Sequence, residues 1–249
     1  MNIVDVSLEN IDQTGFFCFM SKRKSIGYKR KHDWLTKRFD EGMRIKMLDL
    51  KEGGRGFIEY IPGRYAWRSV NADDYMFIHC LWVVGKSKGN GYGTLLLNEC
   101  IEDAKRSGLK GVAMLTSEKV WLAKRGFFEA SGFECVAEAA PSFCLMLKHF
   151  GDNPAPTFSG DWEKKASRCG EGITLFQSAQ CPYIDDAAQI IEQAAGKQGL
   201  PFQSVEFESA EEIRERSPSP YGVFSIVHNG RFLSYHYLTE KDFIKALDS

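Results

Sequence analysis

One glycine-rich stretch decides the fold: Lys88-Gly89-Asn90-Gly91-Tyr92-Gly93-Thr94. It follows an apolar run over residues 75–84 that is typical of a central strand, and it opens an amphipathic helix predicted over residues 94–107. The first amides of a helix have no acceptor within the helix, and the helix dipole adds partial positive charge there. Because glycines let such a backbone approach an anion without Cβ clashes, the stretch predicts a turn that binds a diphosphate.

Two other phosphate-binding motifs do not fit this turn. A P-loop ends in Gly-Lys-Ser or Gly-Lys-Thr, whereas this turn ends in Tyr92-Gly93-Thr94. A dinucleotide fingerprint reads G-x-G-x-x-G, whereas the glycines here are spaced G-x-G-x-G after Lys88. The turn therefore belongs to neither class.

The segments around the turn alternate between strand and helix patterns, which indicates a mixed-sheet α/β domain. Strands are predicted over residues 44–50, 56–61, 75–84, 112–116 and 143–147, with a turn at Glu52-Gly53-Gly54. A second helix is predicted over residues 120–131, ending at Gly132. The pattern stops over residues 151–171, where prolines and glycines predict a linker.

The remaining residues, 172–249, predict a small second domain. Its pattern is strand, helix, strand, hairpin and helix, with the hairpin turn at Asn229-Gly230. The predicted organisation is therefore a domain over residues 1–150, a linker over 151–171 and a second domain over 172–249. The fold class is α/β (α+β), because strands and helices alternate in both parts.

The composition is that of an ordinary globular protein, with 43% apolar and 26% charged residues among 249. A net charge of −1 gives no overall field that would attract nucleic acid or acidic membranes, so neither partner is expected. The chain begins without a basic region leading into an apolar run. Seven cysteines without C-x-x-C or zinc-type spacing predict reduced thiols, no metal site and a cytoplasmic location.

The glycine-rich turn resembles the acetyl-CoA loop of the GNAT N-acetyltransferases, commonly written Arg/Gln-x-x-Gly-x-Gly/Ala. Lys88, Gly91 and Gly93 fall on its three fixed positions, with the lysine differing in residue type but not in charge. Residues 78–84 occupy the place of the family's central strand. Residues 127–133, Phe-Phe-Glu-Ala-Ser-Gly-Phe, resemble the family's Leu-Tyr-Glu-Lys-x-Gly-Phe. The resemblance covers roughly residues 1–150.

This resemblance implies an acyltransferase that uses acetyl-CoA and acetylates a primary amine of a small molecule or peptide. In the family, the central strand binds the pantetheine arm with its backbone, and the loop binds the pyrophosphate with main-chain amides. The cofactor-binding residues implied here are Leu81, Val83, Val84, Lys88, Gly89, Asn90, Gly91, Tyr92, Gly93, Thr94 and Phe128.

His79 is the predicted general base, because an imidazole titrates near neutral pH and its place resembles the strand histidine of arylalkylamine-type acetyltransferases. The alternative is a histidine that only packs in the core. Glu59 and Tyr60, on the preceding strand, are weaker candidates. Phe128 stands where many family members have the tyrosine that protonates the leaving thiolate, so either another group donates that proton or the thiolate leaves without a dedicated acid.

Residues 61–68 lie between two predicted central strands, where acceptor-binding loops of the family often lie. Tyr65 and Trp67 are expected to stack on a flat substrate, and Arg68 to pair with a carboxylate. The alternative is a surface hairpin with no role in binding.

The second domain places Cys181 between a strand and a helix, where the helix dipole favours a thiolate. Cys-Pro-Tyr at this point resembles glutaredoxin and other thioredoxin-like domains, but Ile184 replaces the resolving cysteine. An acetyltransferase part followed by such a domain resembles the YoaP-type acetyltransferases. Two alternatives to an acetyltransferase remain: a monothiol redox protein with a coenzyme A-sensing domain, and a non-catalytic coenzyme A-binding module.

Overall fold

The computed structural model describes residues 2–49, 55–118 and 122–248, which form two compact units. The first unit contains Met1–Ser21, Leu35–Ala66 and Asn71–Phe158, and the second contains Lys22–Trp34, Trp67–Val70 and Ser159–Ser249. The sequence predicted a single division between residues 150 and 172. Instead, two early segments of the chain belong to the second unit, because their side chains make their ion pairs and ring contacts there.

The elements of residues 2–158 are β1 (Asn2–Val6), α1 (Ile11–Thr14), α2 (Ile26–Phe39), β2 (Arg44–Asp49), β3 (Arg55–Pro62), β4 (Val70–Asn71), β5 (Met76–Val84), α3 (Tyr92–Arg106), β6 (Gly111–Ser117), α4 (Arg125–Ala130), β7 (Glu134–Ala139), β8 (Phe143–His149) and β9 (Thr157–Phe158). The main sheet of the first unit has the order β1-β2-β3-β5-β6-β8-β7. Its neighbouring strands pair antiparallel except β5 and β6, which are parallel. The α/β fold class predicted from the sequence is confirmed.

Helix α3 covers one face of this sheet, as its apolar periodicity predicts. Its buried side chains are Leu96, Leu97, Cys100, Ile101 and Ala104. They pack against Ile58 of β3, Ile78 of β5 and Met114 of β6 in one apolar core. Burying such a stripe is the main contribution that holds a helix of this length in place. The core therefore fixes the glycine-rich turn that precedes α3.

The same helix carries a fully buried carboxylate, Asp103. Its oxygens accept a hydrogen bond from the Tyr60 hydroxyl and pair with Arg44 Nη1 at 2.7 Å, Lys46 Nζ at 3.8 Å and Arg106. Burial raises the pKa of the Tyr60 phenol, so it remains a donor at neutral pH. The cluster ties α3 to β2 and β3, and it places Tyr60 on the α3 face of the sheet.

We expect Asp103→Ala to destabilise the protein by about 3 kcal/mol, because it leaves the buried Tyr60 hydroxyl without its acceptor and removes the carboxylate that three basic side chains share. The free energy of unfolding in urea, followed by circular dichroism, measures this. Glu102→Ala is the matched control, since that carboxylate is exposed and pairs only at the surface with Lys105; it should cost less than about 0.5 kcal/mol. Equal losses in the two variants would contradict an anchoring role for Asp103.

The elements of the rest of the chain are α5 (Trp162–Ser167), β10 (Ile173–Gln177), α6 (Ile184–Lys197), β11 (Phe202–Glu206), α7 (Ala210–Arg216), β12 (Phe224–His228), β13 (Arg231–Ser234) and α8 (Glu240–Leu247). The sheet of the second unit has the order β11-β10-β12-β13, with β10 and β11 parallel and the other pairs antiparallel. The predicted succession of strand, helix, strand, hairpin and helix is confirmed. Helix α7 adds to it between β11 and β12.

Some predicted segments differ in the structure. The expected linker over residues 151–171 contains β9 and α5, and α5 packs with the second unit. The helix expected over residues 120–131 is α4, which begins at Arg125. Residues 119–121 and the predicted turn Glu52-Gly53-Gly54 lie outside the described residues. Strand β7 was not predicted, because its sequence Glu-Cys-Val-Ala-Glu-Ala lacks a run of strand-forming residues.

The expectation that all seven cysteines are free is wrong for two of them. Cys135 on β7 and Cys144 on β8 form a disulfide, with their Cα atoms 5.9 Å apart. The two strands are antiparallel neighbours, with Cys135 opposite Met146 and Cys144 opposite Glu138, so the cysteines lie diagonally across the same strand pair. Among the described residues, no helix is both long enough and apolar enough to span a membrane.

Candidate functional site

The glycine-rich turn leads into α3 through left-handed backbone. Gly89 and Gly91 have φ angles of 79° and 76°, a region that favours glycine, and Gly91 is the residue that caps α3. The Leu95 amide donates to the Gly91 carbonyl at 3.0 Å and closes the first helical turn. The amides of residues 92–94 precede that bond and have no acceptor within the helix. The turn therefore presents a row of donors at the positive end of a 15-residue helix.

The turn lines an open cleft of about 330 Å³. A Cβ atom built on Gly89 or Gly91 meets nothing within 4 Å, so the backbone is exposed to the cleft at both positions. Eight predicted cofactor-binding residues line this cleft: Leu81, Val83, Lys88, Gly89, Gly91, Tyr92, Gly93 and Thr94. Ser87, Ala123 and Phe127 also line it and were not predicted. Val84 and Asn90 lie beside the cleft in sequence but do not line it.

The two parallel strands of the sheet separate next to this cleft. Pairing joins Met76–Ile78 of β5 to Val112–Met114 of β6 and ends there, although β5 continues to Val84 and β6 to Ser117. On their outer sides, β5 still pairs with β3 and β6 with β8. Beyond Ile78, β5 therefore has no β-strand pairing with β6.

The assignment of Phe128 to this cleft is wrong. Phe128 is fully buried and packs edge-on against Phe127 and Phe133, with both ring centroids 5.2 Å away. Phe127 lines the cleft instead, and its ring lies 3.2 Å from the Cβ position of Gly93. The reason is the direction of the two side chains on the helix. Consecutive residues of α4 point about 100° apart, so only one of the two phenylalanines can face the cleft.

His79 and Glu59 lie together on the face of the sheet opposite α3. Ile58 and Tyr60 of β3 belong to the core beneath α3, so the intervening Glu59 points to the other face. The β3–β5 register pairs Glu59 with Cys80 and Tyr60 with Ile78, which leaves His79 as the extra residue of a β-bulge. The bulge brings His79 Nδ1 to 3.4 Å from Glu59 Oε1.

This arrangement suits proton acceptance by the other ring nitrogen. A carboxylate beside Nδ1 favours the tautomer with a proton on that atom, which leaves Nε2 as an acceptor. Both side chains are buried, with His79 1% and Glu59 2% exposed. Tyr60, the third candidate, points to the opposite face and donates to Asp103, so the structure does not bring it to this pair.

The predicted substrate residues Trp67 and Arg68 lie in the second unit and are 1% and 2% exposed. Trp67 packs edge-on against Trp34, with ring centroids 5.1 Å apart. Arg68 donates to the Trp67 carbonyl at 2.7 Å and to Gln180, and its guanidinium lies 5.1 Å from the Tyr221 ring centroid. Neither side chain is placed to contact a substrate, because both are buried by contacts within the second unit.

The other two predicted site residues are partly accessible. Tyr65, in the first unit, is 37% exposed and lies under the Arg64 guanidinium, 5.9 Å from the ring centroid. Cys181 is a free cysteine of intermediate exposure between β10 and α6, and its carbonyl accepts from the Ile184 amide at 3.2 Å. Tyr65 does not line the cleft beside the glycine-rich turn.

We expect Arg68→Ala to destabilise the second unit by about 2–3 kcal/mol, because it removes a buried guanidinium from its hydrogen-bond acceptors. Urea unfolding followed by tryptophan fluorescence and circular dichroism checks this. Arg64→Ala, at an exposed arginine four residues before Arg68, should change stability by less than about 0.5 kcal/mol. Unchanged stability in Arg68→Ala would restore the substrate-binding interpretation.

Known proteins resemble this chain in both of its parts. The model of the Acetyltransferase (GNAT) family matches residues 8–133, and a YoaP-like model matches residues 201–245. The uncharacterized N-acetyltransferase YoaP of Bacillus subtilis (strain 168) is 35% identical over 253 residues, covering 100% of this chain and 99% of that protein.

Solved structures give more distant matches. An aminoglycoside 6'-N-acetyltransferase complexed with coenzyme A is 16% identical, with a TM-score of 0.44, covering 62% of this chain and 100% of that one. The ribosomal-protein-alanine N-acetyltransferase from Brucella melitensis is 15% identical, with a TM-score of 0.43, covering 60% of this chain and 100% of that one.

Proposed function

The chain belongs to the GNAT family of acetyltransferases, and from that premise we propose that it transfers an acetyl group from acetyl-CoA to a primary amine of a small molecule or peptide. The observation that carries the proposal is the glycine-lined cleft at the start of α3, next to the point where β5 and β6 separate. The two features together offer donors for a diphosphate and an open strand edge for an extended arm.

The residues of the cleft fit coenzyme A in chemistry and in space. The amides of residues 92–94 and the Lys88 ammonium bind the diphosphate, and the missing side chains of Gly89 and Gly91 leave room for it. The backbone of Leu81, Val83 and Val84 binds the pantetheine arm along the open edge of β5. Acetyl-CoA supplies the acetyl group as a thioester.

Gly91→Ala should raise the dissociation constant for coenzyme A about ten-fold, because a methyl group enters the cleft and the left-handed backbone is disfavoured for alanine. Isothermal titration calorimetry measures the constant. Gly108→Ala is the matched control: Gly108 lies just beyond the other end of α3, has a φ of 69° and has equally open space around its Cβ position. Equal affinities in the two variants would reject the turn as the binding site.

Acetyl transfer also needs an acceptor for the amine proton, since only a neutral amine is nucleophilic. We assign this role to Nε2 of His79, with Glu59 holding the ring in its tautomer. The ring accepts the proton directly or through an intervening water. Phe128 is in the core and has no proton to give, so the thiolate leaves without a side-chain acid at that position.

His79→Gln should lower kcat/KM for amine acetylation by about 10²-fold or more and remove the fall in rate toward acid pH that a titrating base produces. Release of coenzyme A thiol over a panel of amines, as a function of pH, is the measurement. Cys181→Ser should leave the rate unchanged. The reverse pattern would favour the thiol-redox alternative, and coenzyme A binding without turnover would favour a non-catalytic binding module.

For the second unit we propose a thioredoxin-like module that serves packing or recognition. The order β11-β10-β12-β13, with the parallel pair β11–β10 at one edge and the hairpin β12–β13 at the other, supports this, as does the place of Cys181 before α6. A single thiol cannot cycle an intramolecular disulfide, and Ile184 occupies the position of the second cysteine. The YoaP-like match over residues 201–245 lies within this unit.

A further inference from the structure

Trp82 is 40% exposed although it lies on β5, an interior strand of the main sheet. A large aromatic side chain on such a strand is normally covered. Its neighbours Leu81 and Val83 point into the core beneath α3 and line the coenzyme A cleft, so Trp82 points to the opposite face. The exposed part of the indole offers a flat apolar surface on the face of the sheet opposite α3.

Two phenylalanines pack beside Trp82, Phe57 buried at 2% exposure and Phe17 partly exposed. Phe57 of β3 is the direct cross-strand partner of Trp82, so their side chains lie side by side on the same face. The Phe17 ring stacks on Phe57, with centroids 4.4 Å apart and an interplanar angle of 23°. The Arg55 guanidinium lies 5.7 Å from the centroid of the Phe17 ring, at the outer end of the row.

The backbone of Phe17 is unusual in a way that supports a role for its ring. Its φ angle is 78°, in the left-handed region that residues other than glycine rarely adopt. Such a conformation is strained and persists where surrounding contacts hold it, most often at binding and catalytic sites. Here it places the ring over Phe57 and beneath Arg55.

The aromatic row leads to the proposed proton acceptor. Arg55, Phe57 and Glu59 alternate along β3 and therefore share one face, with Glu59 next to His79. The face thus carries a cation at one end, aromatic rings in the middle and a carboxylate–imidazole pair at the other. Four residues of strand separate the Cα atoms of the two charged ends by about 13 Å.

We propose that the acceptor is an amine with a flat aromatic body that stacks on Trp82 and Phe17 and an anionic group that faces Arg55. The aromatic body brings the amine to the Glu59–His79 end, and the anion lies at the far end of the ring. This inference rests on the proposed acetyl transfer for its amine, but the aromatic surface exists independently of the reaction.

The test uses three amines of graded chemistry: 4-(2-aminoethyl)benzoate, 2-phenylethylamine and 1,4-diaminobutane. Steady-state coenzyme A release gives KM and kcat, and calorimetry on the full chain saturated with coenzyme A gives the affinity for each amine.

Trp82→Leu should raise KM for both aromatic amines about ten-fold and leave the KM for diaminobutane unchanged. Arg55→Gln should raise KM about five-fold for the benzoate alone. Phe232→Leu, at a phenylalanine of the second unit with 36% exposure, is the matched control and should change nothing.

Equal KM values for diaminobutane and the aromatic amines, or unchanged values in Trp82→Leu, would overturn the inference while acetyl transfer stood. If no amine is acetylated, calorimetry decides: weaker binding of the benzoate to Trp82→Leu than to the parent protein supports the inference, and equal or absent binding rejects it. A parent protein that binds the benzoate but no coenzyme A would reject the proposed function and leave the aromatic site in place.

Discussion

Parallel pairing between β5 and β6 stops after three residues on each strand, and the proposed activity depends on that interruption. A sheet that kept its ladder to Val84 would satisfy every peptide group of β5 and close the space beside α3. Because each strand keeps its outer partner, the separation costs only the hydrogen bonds between these two strands. The fold therefore holds a strand edge in the middle of a sheet, where a ligand can bind it.

Helix α3 has to stay fixed for that edge to be useful, since its first turn supplies the other half of the cleft. Its apolar stripe packs on three strands, and Asp103 adds a buried anion that meets cations from β2 and the Tyr60 hydroxyl. These contacts all lie in the helix's middle and last turns. The open backbone positions, Gly89 and Gly91, lie just before the helix, so the anchored part and the accessible part occur at opposite ends of α3.

The sequence predicts those parts of the site that depend on local backbone chemistry. The glycine spacing, the apolar run of β5 and the stripe of α3 are each local, and the structure contains the corresponding strand, turn and helix. Properties that depend on side-chain direction were missed or wrong. Phe127 lines the cleft and Phe128 is buried because they point in different directions from α4, and Trp67 and Arg68 are buried by distant segments. Trp82 is 40% exposed on an interior strand, which the apolar run of β5 does not predict. The register shift that makes His79 a bulge and the pairing of Cys135 with Cys144 cannot be seen in composition or periodicity.

The second unit takes Lys22–Trp34 and Trp67–Val70 from within the stretch that carries the acetyltransferase match. Fragments cut at residue 150 would each lack part of their interior: Trp34 and Trp67 would go with one piece, and Gln180 and Tyr221, the partners of Arg68, with the other. The two halves of the polypeptide are thus not interchangeable modules. Loss or exchange of the C-terminal region during evolution would also require substitutions in these two early segments. The two parts of the chain are therefore expected to be inherited together.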